Sequence, residues 1–211
     1  MTFDELVEIV ADEPLFETGL LLAGAIDPAD LRRQLSRWTR SGRIHQLRRG
    51  LYALAPPWRK RTPHPFLVAN RLAPGSYVSS LSALAFSHAI PEYVAEVTSV
   101  TTGRPCIRRT PLGRFSFRHI KPGLLFGYRD ADLGPGQHAF VAEPEKALLD
   151  LVHLQPGGDD EAYLQELRLE FDALRLDILD AFGAMCATPK LVRAADRIGR
   201  LARQTPEYET L

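Results

Sequence analysis

Arginine at short intervals is the first chemistry this sequence offers. In RRQLSRWTRSGRIHQLRRGLYAL, residues 32–54, seven arginines fall within twenty-three positions and no Asp or Glu interrupts them. A guanidinium holds a fixed charge and pairs bidentately with phosphate or with the O6/N7 edge of guanine. Ser36 and His45 add neutral hydrogen-bonding groups to the stretch. A second set has other chemistry. Asp130, Asp132, Glu143, Glu145 and Lys146 are the residue types of a metal-dependent nuclease. That arrangement needs a carboxylate and a lysine at i, i+2 on one strand, so that both reach one face. Here Glu145 and Lys146 are adjacent, and Glu143 and Lys146 stand at i, i+3. At a helix start they read more simply as dipole-matching acids and a surface pair.

The remaining motifs narrow the field. The six histidines show no HExxH spacing, and no glycine-rich phosphate loop or GxSxG elbow is present. Cys106 and Cys186 are too far apart in sequence to suggest a disulfide framework or a zinc cluster, and they fit a reducing cytosol. The expectation is a cytoplasmic protein that is not an enzyme, with no cofactor, metal site or catalytic residue. The longest nearly apolar run, residues 19–26, is too short to span a bilayer.

Helical periodicity positions the arginines. Asp27 and Pro28 form a helix start, and Leu31, Leu35 and Trp38 share one face. Arg33, Arg37 and Arg40 then project from the opposite face, with Arg32 and Ser36 beside them, and Gly42 ends the helix. RIHQL and GLYAL read as two strands, with Ile44, Leu47, Leu51 and Leu54 as core and Arg48, Arg49 and Gly50 as the turn. Before them, Thr2 and Glu5 form a capping box for a helix carrying Phe3, Leu6, Val7 and Val10, and FETGLLLAG reads as a compact second helix. Three helices and a hairpin make a winged helix-turn-helix order. Its third helix enters the major groove, and its hairpin meets phosphates or the minor groove. Arg32 and Arg33 are best placed for base edges. Arg37, Arg40, Arg43, Arg48 and Arg49 suit the backbone.

The charge distribution agrees. The chain is neutral, yet residues 1–27 hold seven acids and no base, and residues 28–62 hold ten bases against Asp30. Residues 143–182 hold eleven acids and three bases. One basic block between acidic ones is a localised footprint. APPWRKRTPHP, residues 55–65, reads as a stiff connector whose Arg59, Lys60 and Arg61 extend that footprint.

The expected fold class is α+β. Residues 1–55 form the winged helix-turn-helix, 56–65 the proline-rich linker, and 66–211 a larger α+β domain ending in helices. In that domain FLVANRLAP, SSLSALAFSHAIP and EPEKALLDLVHL read as helices, with Leu148, Leu149 and Val152 inward. VAEVTSVTTGRP, RFSFRHI, LLFGYR and HAFVAE read as strands. Leu164, Leu167, Phe171, Leu174 and Ile178 recur at 3,4 spacing and predict one long amphipathic helix over 160–182. A last helix starts at Thr188-Pro189. The 3,4 stripe packs on its own sheet or on a second copy, so a homodimer is a further candidate.

The stretches LRRQLSRWTRSGRIHQLRRGLYAL, YVSSLSALAFSHAIPE, FGYRD and HAFVAEPEKALLDLV, in this order, resemble the AbiEi family of antitoxin-type transcriptional regulators from type IV toxin–antitoxin systems. The resemblance covers most of residues 1–155. It implies a winged-helix domain that binds and represses its own promoter, and a C-terminal domain that supplies antitoxin activity. It also implies a functional partner, a nucleotidyltransferase-like toxin opposed without a stable complex. The rival reading is a metal-dependent nuclease with a winged-helix targeting domain.

Overall fold

The computed structural model describes residues 1–22, 27–92 and 94–204. Among the described residues the chain is a mixed α+β protein with two sheets. Helix α1 (Phe3–Val10) starts at a reciprocal capping box: Thr2 Oγ1 accepts from Glu5 N, and Glu5 accepts from Thr2 N. Strand β1 (Phe16–Glu17) and one helical turn, α2 (Thr18–Leu21), replace the helix expected over FETGLLLAG, whose last residues, 23 and 24, lie outside the described residues. Helix α3 (Pro28–Arg40) follows, then β2 (Ile44–Arg48) and β3 (Leu51–Leu54). The strands form an antiparallel sheet ordered β1-β3-β2. A third strand joins the expected hairpin because Phe16 and Glu17 pair with Tyr52 and Leu51.

Strand β3 is buried along its whole length. Alternation sends Tyr52 and Leu54 to one side, where they pack with Leu6, Leu31, Leu35 and Trp38. Leu51 and Ala53 turn to the other side and join the larger core, together with Leu47 and Leu15.

The remaining chain builds that larger core. Its elements are α4 (Pro65–Leu72), β4 (Tyr77–Val78), α5 (Ser80–Phe86), β5 (Val97–Thr101), β6 (Cys106–Thr110) and β7 (Gly113–His119). Then come β8 (Tyr128–Asp132), β9 (His138–Ala142), α6 (Pro144–Leu154), α7 (Glu161–Glu166), α8 (Leu176–Met185) and α9 (Pro189–Gln204). The sheet order is β6-β7-β5-β4-β9-β8. Phe115 and Phe117 are buried, as their alternation predicts. LLFGYR is not a strand throughout: Pro122–Leu124 form a 3-10 turn, and β8 begins at Tyr128.

The helix expected over 160–182 is broken. Arg168 takes φ +48, which an α-helix does not accommodate. Beyond it, Glu170 N donates to Ala89 O and Arg175 N donates to Glu145 Oε1, so the backbone bonds outside its own segment. Leu164, Leu167 and Leu174 still reach the core, but in α8 Leu179 rather than Ile178 is buried.

His64 caps α4, its ring Nδ1 accepting from Phe66 N at 3.2 Å. Burial lowers its pKa from the ordinary value of about 6.5. The unfolded chain therefore binds this proton more readily, and stability falls as pH drops below that value. Protonating Nδ1 also removes the acceptor. His64→Asn, which caps without titrating, is expected to flatten the stability profile between pH ~7 and ~5. Urea titrations across that range check this, and a profile unchanged by the substitution counts against it.

Candidate nucleic-acid interface

Helix α3 carries the arginine face. Asp27 Oδ1 accepts from Ala29 N at 2.8 Å and Asp30 N at 2.9 Å. These backbone bonds hold its carboxyl below the usual carboxylate range, with Arg33 and Arg32 adding a smaller pull in the same direction. Leu31, Leu35 and Trp38 are buried, and Trp38 meets Phe3 edge to face at 5.5 Å. That contact fixes the helix rotation. Arg32, Arg33, Ser36, Arg37 and Arg40 are consequently exposed and line one shallow depression of their own. Arg33 also pairs with Asp30 one turn back, and Arg32 Nε donates to Pro28 O. Ser41 ends the helix and Gly42 takes φ +71, a conformation that favours glycine.

The other predicted contacts are placed differently. The Arg43 guanidinium lies over the rings of Phe3 and Trp58, at 5.0 and 5.9 Å, and so braces the helix from behind. His45 is half-buried. Burial, with Arg59 nearby, lowers its pKa. Arg48 is not in the turn. It ends β2, and only Arg49 and Gly50 link the strands. Its guanidinium donates to Arg71 O at 3.0 Å and Arg49 O at 3.1 Å, and pairs with Glu17 at 3.1 Å. Gly50 O accepts from Thr18 N, so the hairpin end is tied down at two points. Arg49 remains exposed.

The linker is stapled as well. Lys60 and Arg61 both lie against Asp12, at 3.6 and 3.8 Å. Arg61 donates to Pro135 O, and Gln137 bridges His64 N and Thr62 O. Arg59 is half-buried beside His45.

The acidic set is scattered. Asp130 and Asp132 are exposed on β8, and Asp132 Oδ1 accepts from Gly134 N. Glu143 meets Arg129 and Arg175. Among the described residues no three His, Cys, Asp or Glu side chains gather where a metal could be held. Glu145 and Lys146 are not the expected surface pair, because both are fully buried. Glu145 accepts from Arg175 N at 2.8 Å and Arg175 Nε at 3.2 Å. Lys146 bonds Asp150 one turn on and donates to Tyr77 Oη at 2.9 Å. Asp150 also accepts from Ser79 Oγ at 2.7 Å and Tyr77 Oη at 3.0 Å. Burial pushes the Asp150 carboxyl up, against the pull of Lys146, Ser79 and Tyr77. It pushes the Tyr77 phenol up too, with the Asp150 charge adding to the effect. The only local sign of this cluster is the Lys146–Asp150 i, i+4 spacing, since Tyr77 and Ser79 lie about seventy residues earlier.

No family model and no curated protein matches this sequence. No helix among the described residues is long and apolar enough to cross a membrane.

Proposed function

We propose that the chain is a DNA-binding transcriptional regulator whose first 55 residues act as a winged helix-turn-helix. The observation that carries this reading is α3: one face holds Leu31, Leu35 and Trp38 in the core, and the other offers Arg32, Arg33, Ser36, Arg37 and Arg40 to solvent. A helix so divided fits the major groove, where guanidinium groups pair with phosphate and guanine. Arg49 adds a backbone contact. Arg43 and Arg48 act as positioning residues through the rings and carbonyls they already hold. Arg59, Lys60 and Arg61 flank the surface, the last two with Asp12 across from them.

The resemblance to AbiEi antitoxins extends the reading. On it, the protein represses its own promoter, and its larger domain opposes a nucleotidyltransferase-like toxin without a lasting complex.

Arg33→Ala/Arg37→Ala/Arg40→Ala is expected to lower affinity for the chain's own promoter by at least ~100-fold near 0.1 M salt, and to reduce the slope of log K against log salt by about 1.8, for the two backbone contacts Arg37 and Arg40. Anisotropy titrations at several salt concentrations measure both. Full-strength binding by the triple variant removes α3 from the interface. Arg49→Ala tests the hairpin without disturbing the bonds of Arg48. Toxin rescue in cells by that DNA-blind triple variant supports a separate antitoxin role, and failure of the wild-type chain to rescue rejects it.

A further inference from the structure

Between Glu96 and Asp130 the chain has seven bases and no acid. Most of them gather on the β6–β7 hairpin, at the sheet edge farthest from β8. Arg104, Arg108, Arg109, Arg118 and Lys121 are exposed, and among the described residues none of them has an ion-pair partner. Five arginines elsewhere in this part of the chain contrast with them. Arg129, Arg168, Arg175, Arg193 and Arg197 each meet a carboxylate.

Register concentrates the charge. Arg109 lies directly opposite Arg114, and Arg118 shares their face four residues along β7. Like charges opposed across a ladder destabilise it. Only Arg114 is relieved, by Glu96. Arg108 lies on the other face, opposite Phe115. The outer edge of β6 faces solvent, so the backbone beside these arginines is open too.

We infer that this edge is a second contact surface for the phosphate backbone of duplex DNA, separate from α3. Charge selects the class of partner. The hairpin presents arginines around one large exposed apolar residue, Ile107, whereas a protein interface is built on an apolar centre. Its aromatic rings, Phe115 and Phe117, are buried, so no platform is offered to the stacked bases of a single strand. Five strand spacings, about 24 Å, separate β6 from β8. The linker from the arginine helix docks at the β8 end, on Pro135 and Gln137. The edge therefore meets a different stretch of backbone from α3, and it does so without reading sequence.

The test uses full-length protein and a random-sequence duplex of ~20 base pairs, titrated between about 50 and 200 mM salt. Arg108→Gln/Arg109→Gln/Arg118→Gln is expected to reduce the log–log salt slope by about 2.7, with affinity lowered at least ~10-fold at the low-salt end. The corresponding triple Lys variant keeps the charges and is expected to retain the slope, which controls for folding. An unchanged slope in the Gln variant overturns the inference. So does self-association of that variant, seen by light scattering, with DNA binding intact, because the arginines then only guard the strand edge. Loss confined to single-stranded RNA overturns it as well. The α3 triple variant is run in parallel. Loss there alone supports the arginine helix and rejects the edge. Loss in the hairpin variant alone supports the edge and rejects the helix.

Discussion

Asp150→Ala is expected to cost about 3–5 kcal/mol of folding stability, because it leaves an ammonium group buried without its counter-charge. Lys146 has no route to water: it is 1% exposed, and Tyr77 and Phe126 lie beside its ammonium group. Tyr77 and Ser79 lose their acceptor in the same step. Lys146→Met is a milder change. The Asp150 carboxyl, already pushed up by burial, can then take a proton and stay neutral. The sign of its pH dependence follows. A carboxyl whose folded pKa is raised binds its proton more tightly in the native state, so stability falls as pH rises above the ordinary carboxylate range. Lys146→Met is thus expected to be more stable at pH ~5 than at pH ~8. A Lys146→Met/Asp150→Leu double variant is expected to cost less than Asp150→Ala, since it removes both charges. Denaturant titrations of Lys146→Met, Asp150→Leu and their double variant complete a double-mutant cycle. An interaction energy from that cycle below about 0.5 kcal/mol would show that the buried pair is not coupled.

Trp38→Ala is expected to cost about 3–5 kcal/mol and to abolish promoter binding without removing any arginine. Trp38 is 3% exposed, and it meets the Phe3 ring that Arg43 and Trp58 also cover. Its loss frees α3 to rotate, and a helix that rotates presents its guanidinium groups in no fixed register. Trp38→Phe retains most of the burial and is expected to bind DNA with a modest loss. Thermal melts separate this route from that of the arginine variants, which are expected to melt as wild type does while losing affinity. A Trp38→Ala protein that binds DNA normally would remove Trp38 from the positioning of the arginine face.

What the letters disclosed depends on how local the cause was. Helix α3 was legible because Asp27, Pro28, the Leu31/Leu35/Trp38 spacing and Gly42 all lie within sixteen residues of one another. The apolar stripe after residue 160 misled because Leu164, Leu167 and Leu174 are buried whether or not the backbone breaks at Arg168. The break depends on Ala89 O and Glu145, which lie far away in sequence. Glu145 and Lys146 read as surface residues for the same reason: the groups that satisfy them, Arg175 and Tyr77, are contributed by other elements. Arg48 looked like part of a free turn until Arg71 O and Glu17 were brought beside it.

Strand β3, buried on both sides, makes the chain hard to dissect. A fragment ending near residue 64 would carry Leu15, Leu47, Leu51 and Ala53 as bare apolar surface, and a fragment beginning there would lack the residues that close its core. Neither half is a clean reagent. The same strand is a party wall between two cores: Tyr52 and Leu54 close the arginine side, and Leu51 and Ala53 close the other.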